Sequence, residues 1–263
     1  MNEVSRNNPR IRELRKIIRD PKERLNSGKF VVEGYESLKE AVSTGYDPLD
    51  VFISRPSGKE AEIKELLNKS GANLWLLDHE LLSSIASTVT PQPVLATLPA
   101  LDIPVQELLA KSPTFVVAGV EVNEPGNAGS IIRGAAAAGA DGVVFSSNSV
   151  DVYNPKVVRS SAGSIFRIPI VKGIESQEII ESAKQNGLEL IGLSANGEIP
   201  YSEKSYLSPS IIFLGNESRG MKPEHLKQMD FNVSIPMEAG VESLNVAAAA
   251  AVVSFEVKRQ RSL

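Results

Sequence analysis

The chain is 263 residues long, carries 28 Lys and Arg against 32 Asp and Glu for a net charge of −4, and contains no cysteine. Without thiols there is no disulfide scaffold, no cysteine-ligated zinc or iron–sulfur centre and no thiol nucleophile, and with only His79 and His225 as imidazoles no metal site or serine triad is expected. Apolar residues make up 42% and charged residues 23%, ordinary values for one large or two modest domains; no membrane-length apolar run or secretory leader can be read, so a soluble cytoplasmic protein is expected, with no membrane contact.

Residues 1–30 hold nine basic and four acidic side chains, so this arm carries +5 and the rest of the chain −9. A local basic arm on an acidic body points to a local polyanion contact, with a solvated helix face as the plain alternative. Ile11, Leu14, Ile17 and Ile18 fall at helical spacing and predict an amphipathic helix ending before Pro21. Short elements then alternate: a strand at 30–34, a helix at 35–45 closed by Gly45, a strand at 50–54, a helix at 59–69, a strand at 73–78 and a helix N-capped by Asp78. Pro91, Pro93 and Pro99 break the chain, and 99–112 reads as a linker with at most a short helix. From Thr114 a nearly all-apolar strand, as parallel sheets require, restarts the alternation. Strands at 142–145, 166–171, 188–193, 210–215 and 231–236 follow, and a long helix runs from about Ser243 to Arg259. The expected division is an α/β domain over 1–98 and a second over 113–263. The alanine runs 135–138 and 247–251 are good helix formers whose small side chains permit close packing.

Three segments carry candidate chemistry. Val122-Asn-Glu-Pro-Gly-Asn-Ala-Gly-Ser-Ile-Ile-Arg133 follows a buried strand and opens a helix, where open α/β sheets bind ligands and where free N–H groups accept an anion. Its spacing is not GxGxxG, and no GxxxxGK[ST] loop exists, which disfavours a dinucleotide site or a P-loop. Asn127 and Arg133 are expected on one side of the sheet top. Ile211 to Met221 is a short apolar strand ending in Gly-Asn-Glu, a carboxylate placed to orient a polar group. Ser234 to Asn245 leads into the last helix, with Ser243 as a reasonable N-cap and Asn245, two residues later, an equal capping candidate. Each alone reads equally as loop structure.

In order, the three segments resemble the signature motifs of the SpoU (TrmH-like) branch of the SPOUT RNA methyltransferases: N-E-P-G-N-x-G…R, G-N-E-x-x-G and I-P-M…S-L-N-V. Val157-Val-Arg-Ser-Ser-Ala-Gly163 resembles the family's serine- and glycine-containing turn, and Phe30-Val-Val-Glu-Gly34 its RNA substrate-binding domain. The resemblance implies a SPOUT α/β domain with a deep trefoil knot, preceded by a smaller α/β RNA substrate-binding domain, and a homodimer. It implies S-adenosyl-L-methionine as cofactor, surrounded by Leu193, Gly215, Ile235, Met237 and Leu244, and methyl transfer to a ribose 2′-hydroxyl. Arg133 is then expected to polarise the hydroxyl and bind the adjacent phosphate, held with the ribose by Glu217 and Asn245. Asn127 would fix the first loop and Ser243 support Arg133 or the cofactor carboxylate. Arg159 is expected to reach a phosphate across a dimer interface, and Arg10, Arg12 and Arg15 to contact RNA. Glu124 stands where the family often has Asp. The full N-terminal domain resembles members acting on ribosomal RNA; transfer RNA is the alternative substrate.

The lack of cysteine fits direct transfer to oxygen or nitrogen, since methylation at pyrimidine C5 usually passes through a cysteine adduct. The competing reading from another class is a noncatalytic RNA-binding or ribosome-assembly factor that keeps the fold.

Overall fold

Asn8 opens the first helix: its side chain accepts the Arg10 N–H at 2.9 Å, and Pro9 occupies the first turn, where no intrahelical N–H is needed. The computed structural model describes residues 2–262. They form two units, one of residues up to Ala100 together with Tyr153–Phe166, the other of Leu101–Val152 and the residues from Arg167 onward.

In the first unit the order is β1 (Asn2–Glu3), α1 (Pro9–Arg19), α2 (Pro21–Ser27), β2 (Lys29–Glu33), α3 (Tyr35–Ser43), β3 (Asp50–Arg55), α4 (Glu60–Leu66), β4 (Asn73–Asp78), α5 (His79–Ile85) and β5 (Val94–Pro99). The sheet order is β1-β4-β3-β5-β2, with β5 antiparallel to both neighbours and the other pairs parallel. The apolar stripe of α1 behaves as its spacing dictates: Ile11, Leu14, Ile17 and Ile18 are all buried, in a cluster with Phe52, Leu81, Leu82, Ile85 and Leu95. Each such side chain contributes about 1.5–3 kcal/mol by leaving water. Two elements depart from the sequence reading. A second helix, α2, follows α1 directly because Asp20 both ends α1 and caps α2, accepting the Lys22 N–H at 2.8 Å. The proline-bounded stretch 94–99 is a central strand, its prolines confined to the strand margins where no ladder donor is required.

The second unit contains α6 (Val105–Leu109), β6 (Phe115–Gly119), α7 (Pro125–Ala138), β7 (Gly142–Ser146), β8 (Ile170–Ile174), α9 (Ser176–Gln185), β9 (Glu189–Leu193), β10 (Ile199–Pro200), β11 (Ser210–Leu214), α10 (Pro223–Leu226), β12 (Phe231–Ser234) and α11 (Val246–Arg261). Between β7 and β8, helix α8 (Pro155–Ser160) and a 3-10 turn at Ser164–Phe166 leave this unit and pack in the first. Tyr153 there stacks on Phe30 with ring centroids 4.7 Å apart, and Phe166 lies 5.9 Å from Tyr46. The expected linker is also partly a structural element: α6 buries Val105, Leu108 and Leu109 in the second unit's core. The last helix starts at Val246, three residues later than its pattern suggested.

All seven strands of the second sheet are parallel, in the order β10-β12-β9-β11-β6-β7-β8. Register aligns the carboxyl ends of four neighbours: Val233 of β12 lies beside Leu193 of β9, Phe213 of β11 beside Gly192, and Leu214 beside Gly119 of β6. Helices α7 and α11 run side by side. Asn245 bonds Asn127 at their starts, Gly134 faces Ala251 in the middle, and the Lys258 ammonium donates to the Ala137 carbonyl at 3.0 Å near the α7 C-terminus. A Cβ on Gly134 would sit 3.7 Å from that of Ala251, an ordinary contact. Gly134→Ala is therefore expected to stabilise by about 0.5–1 kcal/mol through helix propensity. Gly134→Leu, which wedges the helices apart, is expected to cost about 1–3 kcal/mol. Chemical denaturation of both variants checks the opposite signs.

Candidate active site

At the end of β6 the chain turns through Glu121, whose φ of +55° is the left-handed region that side chains other than glycine rarely occupy. Four contacts over-determine it. Its N–H donates to Ser146 Oγ at 2.9 Å, its carbonyl accepts from Asn216 Nδ2 at 2.9 Å, and its carboxylate meets Lys222 Nζ at 2.9 Å and Arg219 at 3.5 Å. The Lys222 bond holds the Glu121 carboxyl below the usual carboxylate range. Strain stored in this way gathers at functional sites. No sequence motif singled out Glu121.

Glu124 then caps α7, its carboxylate accepting the Asn127 N–H at 2.8 Å, with Pro125 in the first turn. Gly126 leaves room for this cap, since a Cβ there would stand 2.6 Å from Glu124 Oε2 and the carboxylate would have to shift.

Glu217 enters from the loop after β11. Its carboxylate accepts the backbone N–H groups of Asn123 at 3.2 Å and Glu124 at 2.9 Å, and Asn127 Nδ2 at 3.0 Å. Asn127 Oδ1 in turn accepts Asn245 Nδ2 at 2.8 Å, and Asn245 Oδ1 accepts the N–H groups of Ala247 and Ala248 that open α11. The result is one directional chain, from the N-terminus of α11 through two amides to a carboxylate at the N-terminus of α7. Each donor points toward the negative charge, so the bonds reinforce one another. Burial by itself raises the Glu217 carboxyl, but the bonds from Asn127 Nδ2 and the loop N–H groups outweigh it and leave the net value below the ordinary 4.5.

The loop bearing Glu217 is a tight hairpin, with Asn216 and Gly220 exchanging backbone bonds at 3.1 and 2.9 Å. Gly215 permits it: a Cβ there would come within 2.3 Å of the Gly220 and Met221 backbone.

Several expected roles change. Arg133 lies on an exposed face of α7, and among the described residues it has no hydrogen-bond or ion-pair partner. Six residues on a helix rotate about 240° and advance about 9 Å, which separates it from buried Asn127. Among the described residues Glu217 and Asn245 bond the loop, Asn127 and the start of α11, and neither bonds Arg133. Asn245, not Ser243, caps the last helix; Ser243 is exposed and makes no hydrogen bond among the described residues.

Leu193, Gly215, Ile235, Met237 and Leu244 gather at the carboxyl ends of β9, β11 and β12 and in the segment that follows. Leu193, Ile235 and Met237 are half-buried, and Leu244 is 40% exposed. Backbones crowd there too, since a Cβ on Gly197 would strike Val233 at 2.3 Å. A surface of half-exposed apolar side chains and close backbone fits a nucleoside carrying no pyrophosphate, and S-adenosylmethionine is one. A shallow hollow lined by Lys184, Glu189, Ser208, Pro209, Asp230 and Phe231 lies at the opposite, amino end of these strands.

Among the RNA candidates, Arg10 pairs with Glu13 at 3.2 Å, Arg12 donates to the Asn7 carbonyl at 3.1 Å, and Arg15 to Ser84 Oγ at 3.2 Å. Arg159 belongs to the first unit and donates to Ser87 Oγ at 3.2 Å.

Comparison with known proteins matches residues 114–255 to the SpoU rRNA Methylase family and residues 8–96 to an MRM3-like substrate binding domain. The chain belongs to the SpoU rRNA methylase family. Its SpoU relatives include the 23S rRNA (guanosine(2553)-2′-O)-methyltransferase RlmP of Bacillus subtilis, 27% identical across 97% of this chain and 98% of its own. The 23S rRNA (uridine(2479)-2′-O)-methyltransferase of Streptomyces viridochromogenes is 30% identical across 98% and 92%. Among solved structures, the AdoMet-bound rRNA methyltransferase from Sinorhizobium meliloti superposes with a TM-score of 0.88 at 26% identity, covering 98% of this chain and 97% of that one. The SpoU methyltransferase AviRb from Streptomyces viridochromogenes in complex with AdoMet gives 0.87 at 28%, covering 97% and 98%.

Because Glu217 is held below its unfolded value, the stability it contributes is complete above about pH 4.5 and is lost as pH falls through its lowered folded value. Glu217→Gln is expected to flatten that acid limb and to cost about 1–3 kcal/mol at neutral pH by leaving N–H donors short of an acceptor. Urea unfolding between pH 3 and 7 checks both. Gly215→Ala, which collides with backbone, is expected to cost about 1–3 kcal/mol, and amide exchange is expected to show residues 215–221 opening first.

Proposed function

We propose that this chain transfers a methyl group from S-adenosylmethionine to a ribose 2′-hydroxyl of ribosomal RNA, working in the cytoplasm as a homodimer. The observation that carries the reading is the chain of bonds Glu217–Asn127–Asn245 at the carboxyl edge of an all-parallel sheet, in a member of the SpoU family whose full-length relatives include two 23S rRNA 2′-O-methyltransferases.

Bound there, the cofactor supplies an electrophilic methyl on a sulfonium. Leu193, Ile235, Met237 and Leu244 offer apolar contacts to it, and the backbone beside Gly215 a narrow edge. Arg133, the guanidinium without an internal partner, is the group that reaches the hydroxyl and its neighbouring phosphate. As a guanidinium it would polarise the oxygen and stabilise developing alkoxide character while the oxygen–methyl bond forms and the sulfur–methyl bond breaks, S-adenosylhomocysteine leaving and the hydroxyl proton passing to solvent water. Asn127, Glu217 and Asn245 are positioning residues: they lock the starts of α7 and α11 so that Arg133 projects from a fixed helix. Ser243 remains available on the exposed segment before α11 to meet the cofactor carboxylate.

The segment 235–245 leaves β12 and returns to Asn127 after β6, although β9 and β11 separate those strands. That return supports the threaded C-terminus of the family's trefoil knot. Phe255, 48% exposed on α11, supports a second copy covering that helix. The two family matches support a division of labour in which the N-terminal part grips RNA.

Transfer of labelled methyl from S-adenosylmethionine into total ribosomal RNA, with nuclease mapping of 2′-O-methyl positions, is the test. Arg133→Ala is expected to lower transfer by about 100-fold or more, the scale of losing one charge-stabilising donor, while calorimetric uptake of S-adenosylhomocysteine stays unchanged. Full activity of Arg133→Ala sinks the assigned role. Cofactor uptake without any methyl in RNA sinks the function.

A further inference from the structure

Three arginines, two from α1 and one from α8, meet at the end of α5. Arg15 Nη2 donates to Ser84 Oγ at 3.2 Å, Arg19 Nη2 to the Ser84 carbonyl at 3.3 Å, and Arg159 Nη1 to Ser87 Oγ at 3.2 Å. All belong to the first unit, and Arg159 lines one small cavity with Ile18, the residue before Arg19. The last carbonyls of a helix attract cations, which accounts for the gathering.

None of the three has a carboxylate partner among the described residues, whereas Arg10, Arg55, Arg219 and Arg259 each do. Glu33, which lines the same small cavity as Arg159 and reaches it only through the Ser87 hydroxyl, accepts Ser87 Oγ at 3.3 Å, the Gln92 N–H at 3.2 Å and Thr88 Oγ1. Its charge therefore serves the 87–92 loop. At the tip of that loop Val89 is fully exposed, more so than any other large apolar side chain of the described residues. Three guanidiniums anchored by one or two hydrogen bonds apiece keep free N–H groups, five donors each in a rigid fork that suits phosphate oxygens. The guanidinium planes are also surfaces on which an unstacked base rests.

We propose that Arg15, Arg19 and Arg159, with the loop tip at Val89, form the surface by which the first unit holds the phosphate backbone of the RNA substrate. This rests on the RNA methyltransferase reading and narrows it: Arg10 and Arg12, on the same basic helix, lie outside the patch.

The test is binding of an in vitro 23S ribosomal RNA transcript to the full chain across a salt series, with S-adenosylhomocysteine uptake and methyl transfer measured on the same samples. The triple variant Arg15→Gln, Arg19→Gln, Arg159→Gln is expected to weaken RNA binding at least tenfold. It is also expected to reduce the slope of log affinity against log salt by about 2 to 3, since each lost phosphate contact removes about 0.7–0.9; cofactor uptake stays unchanged. Replacing the same three by Lys keeps the charge and restores the slope, which a purely structural role for the guanidinium bonds would not do. A charge-matched control, Lys64→Gln, Lys69→Gln, Lys184→Gln, is expected to leave the slope within about 0.5 of wild type. An unchanged slope in the triple Gln variant, or an equal loss in the control, overturns the assignment. Absence of methyl transfer by the wild type overturns the activity, while the patch stands or falls on the binding slope alone.

Discussion

The Glu217 carboxylate is the point through which three segments remote in sequence are tied together. It arrives on a hairpin after β11, receives the N–H groups of the loop after β6, and through Asn127 is joined to Asn245 at the start of the last helix. A half-buried charge is tolerable only when several donors face it, and two helix N-termini supply that setting without a lysine or arginine. The neutralisation comes from fixed dipoles and draws on no arginine, and Arg133 on the exposed face of α7 keeps its charge uncommitted among the described residues.

The helices that carry this arrangement are held together by small residues. Gly134 against Ala251 lets α7 and α11 approach closely, so the two amides at their starts reach each other at 2.8 Å. The same economy of volume governs the loops, where Gly215, Gly197 and Gly126 stand where any Cβ would strike backbone or the capping carboxylate. Glu121 shows the opposite device, a bulky residue kept in a left-handed conformation because an ammonium, a guanidinium, a serine hydroxyl and an asparagine amide all hold it there.

Much of the second unit was legible because its information is local. Parallel strands buried on both faces read as apolar runs, and the glycine, asparagine and carboxylate positions of three loops formed a recognisable order. Long-range pairing was less legible. Val94–Pro99 hides between prolines, yet it is central because β2 and β3 both need an antiparallel partner. The resemblance implied that Glu217 holds Arg133, but the helical rotation between 127 and 133 turns Arg133 away from Asn127, and only coordinates show that the carboxylate bonds the loop and Asn127 instead. Ser243 looked as good a cap as Asn245 from composition alone. What decides is which side chain is needed elsewhere: Asn245 caps with its oxygen while its nitrogen reaches Asn127, and a serine hydroxyl is too short to do both.

The fourteen residues Tyr153–Phe166 belong to the first unit although both flanks lie in the second. The chain therefore crosses between the units three times, at 100–101, 152–153 and 166–167. A single crossing would make them beads on a string, separable by one cut. Three make a plait. Removing everything before residue 101 would not liberate an intact second unit, because Tyr153 and Phe166 would lose the Phe30 and Tyr46 rings they pack on and present bare aromatic surface to water. Besides the link at 100–101, two further covalent connections therefore join the units, one after β7 and one before β8.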